Sequence, residues 1–191
     1  MALHPTLWRT CRVLAGPTRL CLLRKVIAKP GLTVQQLADS IPINKSRASQ
    51  ELRRLQSRGL IQARRHANHV SYLPVSDPLV GTAKPLLDAM KTTFASLSSR
   101  QDQLALDSAT ALAYPRRIEM VQQLLIAPAS VSELSRNLHI PHISLTRHLN
   151  VLRDLDLARR VRGTWHFTPN QHPLTRCLVH LLRQETGRPP T

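Results

Sequence analysis

The stretch SLTRHLNVLRDLDLARR, residues 144–160, combines an apolar face with a polar, basic face at helical spacing. Leu145, Leu149 and Leu152 recur at i, i+4 and i+7, so a helix would carry them on one side. The opposite side would carry hydroxyl, amide and guanidinium groups beside one isoleucine: Ile143, Ser144, Thr146, Arg147 and Asn150. On an exposed helix such polar groups can hydrogen-bond to base edges and phosphates. The leucines require a core behind the helix.

A second stretch with the same pattern lies in the first half of the chain. Ala48, Leu52 and Leu55 form its apolar side. Its opposite side carries Ser46, Gln50 and Arg53, flanked by Arg47, Ser49 and Arg54. Residues 44–65 contain seven Lys or Arg and a single acid, Glu51. Solvation of an exposed face would explain any one of these arginines, but it explains the paired clusters poorly.

The two stretches belong to a tandem repeat. Residues 14–65 and 112–162 align with one gap near Gly31, and the identities fall at structural positions. The matched pairs include Leu14 with Leu112, Pro17 with Pro115, Arg19 with Arg117, Leu52 with Leu149 and Leu55 with Leu152. A period of about 98 residues is too long for a solenoid unit, so the chain carries two copies of one domain.

Each copy predicts two helices before the basic one. The first begins at Pro17 or Pro115, because proline is tolerated at the first helical position. The second follows Thr33 or Ser130, where TVQQ and SVSE fit a capping box. In that motif the hydroxyl accepts a hydrogen bond from an amide three residues on, and a Gln or Glu side chain reaches back.

A short break, the basic helix and a hairpin complete each copy. The breaks are predicted at residues 40–44 and 137–141, and the basic helices at 44–58 and 141–155. Two strand-like runs then surround a turn, Ala67-Asn68 in one copy and Arg162-Gly163 in the other. Helix, helix, turn, helix and hairpin make a winged helix.

The charge of the whole chain favours a polyanionic partner. Its 191 residues contain 27 Lys and Arg against 11 Asp and Glu, a net charge of +16. Residues 1–98 carry +11 and residues 99–191 carry +5, so the charge is no basic tail. Nucleic acid is the first candidate and an acidic membrane face the second.

The composition also predicts the cellular location of the protein. No run approaches the roughly 18 apolar residues of a membrane span, and MALHPTLWRTCRVLAG lacks the apolar segment of a signal peptide. The three cysteines form no CxxC pair, which suits a reducing compartment. We expect a soluble, cytoplasmic protein with no membrane partner.

Two motifs resemble those of a known family. ISLTRHLNVLRDLDLARR is similar to the recognition helix and wing start of ArsR-type bacterial repressors, whose pattern runs S-x-V-S-R-H-L-x-V-L-R-x-x-G-L-V. LAYPRRIEMVQQLL and LAGPTRLCLLRKVI are similar to that family's L-x-x-P-x-R-L-x-I-L. The resemblance covers residues 14–75 and 112–168. It implies a winged-helix transcription regulator that binds operator DNA as a two-fold dimer, with flanking N- and C-terminal helices at the interface.

The chain departs from that family in three ways. The first copy has Ser49-Gln50-Glu51-Leu52 in place of Ser-Arg-His-Leu, so its base preference is not expected to follow the family's. The second copy has Asp156 before the wing, where the first keeps Gly59. Family members carry one winged helix per chain, whereas this chain carries two.

The duplication therefore predicts a covalent pseudo-dimer in which one chain presents both DNA readers. The expected fold is mainly α with small β-hairpin wings, in two tandem winged helix-turn-helix domains at residues 1–98 and 99–191. Residues 78–113 would form the closing helix of the first copy and the opening helix of the second. We expect a sequence-specific regulator of double-stranded DNA, with a repressor's role. Further self-association stays open.

The residues expected to contact DNA lie on the two recognition helices and the two wings. In the first copy they are Lys45, Ser46, Arg47, Ser49, Gln50, Arg53, Arg54, Arg64, Arg65 and His66. In the second copy they are His142, Ser144, Thr146, Arg147, Asn150, Arg159, Arg160 and Arg162. Helix residues would read base edges, and wing arginines would meet the phosphate backbone.

The sequence gives little indication of a metal site or a catalytic site. The helix before each recognition helix lacks the Cys-x-Cys pair with which metal-sensing members of the family bind soft metals. His172, Cys177 and His180 fall where other members bind zinc, but they share a face only in part and no aspartate accompanies them. Because no nucleophile–base pair or phosphate loop is present, we expect neither an enzyme nor a cofactor.

Two other functions compete with DNA binding. A winged-helix scaffold that binds protein would deplete Lys and Arg at the centre of its interface, whereas here they are concentrated. An RNA-binding protein would usually offer aromatic stacking platforms. Only 3% of the residues are aromatic, and neither recognition helix carries one.

Overall fold

The computed structural model describes residues 6–66 and 69–186. The first copy consists of α1 (Leu7–Leu14), α2 (Pro17–Ala28), α3 (Val34–Asp39), α4 (Lys45–Gln56), β1 (Gln62–His66), β2 (His69–Leu73) and α5 (Ala83–Phe94). The second repeats this order with α6 (Ser99–Ala111), α7 (Pro115–Ile126), α8 (Val131–Leu138), α9 (His142–Asp154), β3 (Ala158–Val161), β4 (Thr164–Phe167) and α10 (Pro173–Thr186). Each copy is mainly helical with one antiparallel hairpin, which confirms the predicted fold class. No helix among the described residues is long and apolar enough to cross a membrane.

The capping boxes predicted before α3 and α8 are both formed. Thr33 Oγ1 accepts a hydrogen bond from the Gln36 amide at 3.3 Å, and Gln36 Oε1 accepts one from the Thr33 amide at 2.9 Å. Ser130 and Glu133 repeat the arrangement at 3.2 and 2.7 Å. The two reciprocal bonds satisfy amides that the first turn of a helix leaves free.

Some predicted boundaries differ from the observed ones. The first recognition helix, predicted at 44–58, ends at Gln56, and the second, predicted at 141–155, covers His142–Asp154. The break before α4 covers residues 40–44, as expected. The break before α9 is shorter than the predicted 137–141, because α8 continues to Leu138. His139 follows with a left-handed backbone (φ 53°), and this conformation ends the helix.

Each wing is an antiparallel hairpin. In β1 and β2, Arg64 lies opposite Ser71, and in β3 and β4, Arg159 lies opposite His166. The second wing turns at Arg162-Gly163 as predicted, and the predicted turn at Ala67-Asn68 lies outside the described residues.

The base of each wing is hydrogen-bonded to the segment that precedes the helix-turn-helix. The Tyr72 amide donates to the Leu32 carbonyl at 3.0 Å, and Trp165 and Ala129 exchange two backbone bonds at 2.7 and 3.1 Å. These bonds fix the second strand of each wing relative to α3 or α8.

An arginine at equivalent positions of the two copies donates hydrogen bonds to backbone carbonyls at the C-terminal end of the preceding helix. Arg19 donates from Nε to the Val13 carbonyl at 2.5 Å and from Nη2 to the Arg12 carbonyl at 3.2 Å. Arg117 donates in the same way to the last two carbonyls of α6, at 2.5 Å each. Because the C-terminal carbonyls of a helix lack partners and carry partial negative charge, a guanidinium is well placed there. The arginine of the L-x-x-P-x-R motif therefore has a structural role.

Equivalent helices of the two copies pack on each other. α1 contacts α6, the opening helices of the two copies, and α5 contacts α10, their closing helices. One buried hydrophobic cluster continues through both copies, from Leu7 to Leu182. In a two-fold dimer of separate chains, the same surface of each subunit forms the interface, so equivalent helices of the two subunits pack on each other. The flanking helices that the resemblance assigns to a dimer interface meet here within one chain.

Polar contacts also join the two copies. Arg24 on α2 pairs with the carboxylate of Asp102 on α6. His172, buried at the start of α10, has its Nε2 at 3.4 Å from Thr93 Oγ1 on α5. Residues 95–98 separate α5 from α6, and the division of the chain at residue 98 stays a prediction.

Candidate nucleic-acid interface

The recognition helix of the first copy begins at a side-chain cap and rests on a fully buried seam. Asn44 Oδ1 accepts a hydrogen bond from the Arg47 amide at 2.8 Å, which fixes the first turn of α4. Ala48, Leu52 and Leu55 are completely buried. This packing holds the opposite face of α4 outward.

Most of the predicted contacts on α4 are exposed. The exposed ones are Lys45, Ser46, Arg47, Gln50, Arg53 and Arg54, and Ser49 is half-buried. The structure therefore brings the short polar side chains and the guanidinium groups to one accessible face. Their contact with DNA stays a prediction.

The single acid of this stretch is buried and doubly paired. Glu51 Oε2 accepts from Arg19 Nη1 at 2.8 Å, and Glu51 Oε1 accepts from Arg54 Nη1 at 3.0 Å. Burial would raise the pKa of the Glu51 carboxyl, but the hydrogen bonds and charges of the two arginines lower it below its ordinary value. The carboxylate thus does not repel an approaching phosphate, and Arg54 is partly engaged with Glu51.

The recognition helix of the second copy differs at its start. Leu145, Leu149 and Leu152 form its buried seam. Its N-cap is Pro141, which has no side chain that could cap the helix, so the first amides of α9 meet no side-chain acceptor. Free amides at a helix N-terminus, together with the helix dipole, favour a phosphate at that position.

The reading face of α9 mixes polar and apolar groups. His142, Thr146 and Arg147 are exposed, and Ser144 and Asn150 are half-buried. Ile143 is 79% exposed and lies on the same face as these polar groups. Such an apolar group can contact the methyl of thymine in the major groove.

Arg116 is a neighbour of this face that the sequence did not single out. It is exposed near the N-terminus of α7, and its Nη1 donates to Ser144 Oγ at 3.3 Å. The doubled arginine after Pro115 was the available signal. The repeat marks Arg117, which matches Arg19, but it does not mark Arg116, which matches Thr18.

His148 occupies in the second copy the position that Glu51 occupies in the first. It is half-buried, and its pKa is lowered by burial first and by the charges of Arg117, Arg116 and Arg147 next. Burial also lowers the pKa of Arg117. The described part of the second copy has no carboxylate paired with Arg117, so the two recognition helices are supported differently.

The wings present their arginines to solvent. Arg64 and Arg65 on β1 are exposed, as are Arg159 and Arg160 on β3 and Arg162 in the turn. His66 ends β1, and its side chain lies outside the described residues. Successive strand residues point to opposite faces, so each wing offers guanidinium groups on both sides.

The contacts of three side chains that could bind a metal are structural. These side chains, His172, Cys177 and Cys11, are buried or half-buried. His172 Nδ1 accepts a hydrogen bond from the Leu174 amide at 3.2 Å, so this histidine caps α10. Burial and, secondarily, Asp88 raise the pKa of the Cys177 thiol to about 11, and burial raises that of Cys11 further. Within residues 6–66 and 69–186, no group of three His, Cys, Asp or Glu side chains could hold a metal ion.

Comparison with known families matches both copies. Residues 114–160 match the model described as bacterial regulatory protein, arsR family. Residues 16–69 match the model of the MarR family. The chain is a tandem of two winged helix-turn-helix domains. No curated protein and no solved structure matches the chain. The two families are regulatory DNA-binding domains and not enzymes, and they support a DNA-binding transcription regulator.

Proposed function

We propose that this protein is a transcriptional repressor that reads two half-sites of double-stranded DNA with one chain. The readers are the recognition helices α4 and α9, and the basic wings contact the DNA backbone. Repression follows when the bound chain occupies a promoter. The working form is a monomeric pseudo-dimer located in the cytoplasm, where the DNA of a bacterial cell lies.

The observation that carries this proposal is the pairing of equivalent helices, α1 with α6 and α5 with α10. When equivalent helices pack on each other in this way, the two winged helices form one unit. That unit presents two recognition helices. In dimeric helix-turn-helix proteins, such readers enter the major groove about one helical turn apart, roughly 34–36 Å, or a multiple of it.

The two readers support recognition of different sequences. Ser46, Arg47 and Gln50 of the first copy stand where the second has Ile143, Ser144 and Arg147. An amide or guanidinium can form bidentate bonds with a purine, whereas Ile143 favours a thymine methyl. The two half-sites should therefore be dissimilar.

Selection from a random duplex library, with the purified full chain, tests sequence-specific binding. We expect one enriched motif, with an affinity that falls steeply as salt rises, because both basic clusters release counterions from phosphates. An RNA library selected in parallel discriminates the RNA-binding alternative. Binding that is nearly independent of salt, or stronger enrichment from RNA, would remove duplex DNA as the main partner.

A reporter assay tests the repressor's role. The selected motif is placed across a promoter, and the full chain is expressed beside it. We expect lower transcription, and loss of the effect when the motif is scrambled. Higher transcription with the intact motif would make the protein an activator.

A further inference from the structure

An arginine-lined cleft lies between α1 and the C-terminal half of α4 in the first copy. Its volume is about 460 Å³. Arg9, Arg12, Arg19, Arg54 and Arg58 line it, and we call it the arginine cleft. Trp8 forms part of its wall. The cleft is large enough for a small molecule, since ligand pockets occupy roughly 300–1,000 Å³.

The charge in the arginine cleft is only partly balanced. Glu51 pairs with Arg19 and Arg54 and thus accounts for two of the five guanidinium groups. Among the described residues, no carboxylate forms an ion pair with the other three arginines, Arg9, Arg12 and Arg58.

Two of those three arginines have surroundings that suit a ligand. The buried Nε of Arg58 has no hydrogen-bond partner, an unusual state for a charged donor. The guanidinium of Arg9 stacks on the Trp8 ring at 5.0 Å from its centroid. An anion in the cleft would supply the missing acceptor and offset the repulsion between the guanidinium groups.

The second copy shows that the fold does not require these charges. The positions equivalent to Arg9 and Arg12 are Asp107 and Thr110, and those equivalent to Arg54 and Arg58 are Val151 and Leu155. Only Arg19 has an arginine counterpart, Arg117, and both have the helix-capping role described above. The other four arginines occur in the first copy alone, and all of them line the same cleft.

We propose that the arginine cleft binds a small-molecule anion with at least two negative charges on phosphate or carboxylate groups. Guanidinium groups bind such oxygens in bidentate geometry, and three of those that line the cleft form no ion pair with a carboxylate of the described residues. The ring of Trp8 offers a face for an apolar or planar part of the ligand. The ligand would bridge α1, which packs on the second copy, to the recognition helix α4, and would thereby connect ligand binding to the DNA reader.

Calorimetric titration of the full chain without DNA tests this site, using inorganic pyrophosphate and citrate at constant ionic strength. We expect saturable binding of one anion per chain. Arg12→Gln/Arg58→Gln should weaken it by more than about tenfold, since two charge-assisted contacts are lost. Arg100→Gln/Arg176→Gln removes two exposed charges elsewhere and should leave the affinity unchanged. Arg12→Gln alone changes only an exposed side chain and should weaken binding in a chain of unaltered stability.

The other outcomes overturn the proposal. Absence of saturable binding, or an equal loss in both double variants, would mean that the cleft attracts anions only through net charge. If neither anion binds but Arg12→Gln/Arg58→Gln reduces the salt dependence of DNA affinity, the cleft holds a DNA phosphate instead. Because the titration contains no DNA, its result does not depend on whether the proposed repressor function is correct.

Discussion

Thr93 Oγ1 and His172 Nε2 lie 3.4 Å apart in the buried contact between the closing helix of the first copy and the start of the closing helix of the second. Thr93 Oγ1 already donates to the Ala89 carbonyl at 2.9 Å, and His172 Nδ1 accepts from the Leu174 amide. Both arrangements are satisfied by a neutral imidazole protonated on Nε2. A neutral histidine therefore joins the two copies.

Acidification should weaken the fold through this histidine. Burial lowers the pKa of His172, so the unfolded chain binds a proton more readily than the folded one. Stability is then complete above the ordinary value of about 6.5 and falls as the pH drops below it. We expect the midpoint of thermal unfolding to decrease between about pH 7 and pH 5.

A matched pair of variants assigns that effect. His172→Gln should show a smaller decrease with pH, whereas His180→Gln, which changes an exposed side chain, should behave as the unchanged chain does. His148, whose pKa is also lowered, is expected to contribute to the decrease that remains in His172→Gln. Identical pH profiles for all three chains would contradict the role of His172.

Replacing Glu51 should destabilise the first copy. Glu51→Gln leaves two guanidinium groups without their carboxylate, and the expected loss in the free energy of unfolding is about 1–3 kcal/mol. Denaturant unfolding measures it, with Glu119→Gln on an exposed face of α7 as the control. Equal stability of the two variants would show that the ion pairs of Glu51 with Arg19 and Arg54 contribute nothing net.

Substitutions at the position before each wing should change the stability of the chain in opposite directions in the two copies. Gly59 and Asp156 both have left-handed backbones, with φ of 69° and 55°. Asp156→Gly removes strain and should stabilise the chain by about 0.5–1 kcal/mol. Gly59→Ala should destabilise it, because a Cβ there would lie 3.0 Å from Asp77 Cβ and 3.1 Å from Val80 Cβ. Stabilisation by Gly59→Ala would show that the backbone is not held in this conformation.

Base reading and backbone anchoring should separate by mutation. Arg47→Ala, Gln50→Ala or Arg147→Ala should relax preference at particular base pairs, each by about 1–3 kcal/mol for a bidentate contact. Arg64→Ala or Arg160→Ala should weaken binding to all sequences about equally. Affinities on a panel of single-base variants distinguish the two patterns. The reverse assignment would mean that the wings, and not the helices, read the bases.

Local signals explain which parts of this architecture were predictable. The capping boxes at Thr33 and Ser130, the leucine seams and the turn at Arg162-Gly163 depend on residues within a few positions of one another. The end of α8 was missed because a left-handed histidine, His139, has no distinctive sequence pattern.

Contacts between distant residues were not predictable in the same way. Arg19 and Glu51 are 32 positions apart, and Thr93 and His172 are 79 apart. Their pairing depends on how the helices pack, so the sequence could indicate the basic faces but not the acid neutralised behind one of them. The arginine cleft is not predictable from local sequence for the same reason, since α1 and α4 each contribute only part of it.

The mass of the complex with the selected DNA tests the central claim most directly. Light scattering on the full chain bound to a duplex with the selected motif gives the number of chains per site, and footprinting gives its symmetry. We predict one chain on two dissimilar half-sites whose centres are about one helical turn apart, or a multiple of it. Two chains on a strict palindrome would contradict the account, because the two copies would then not act as a pair within one chain.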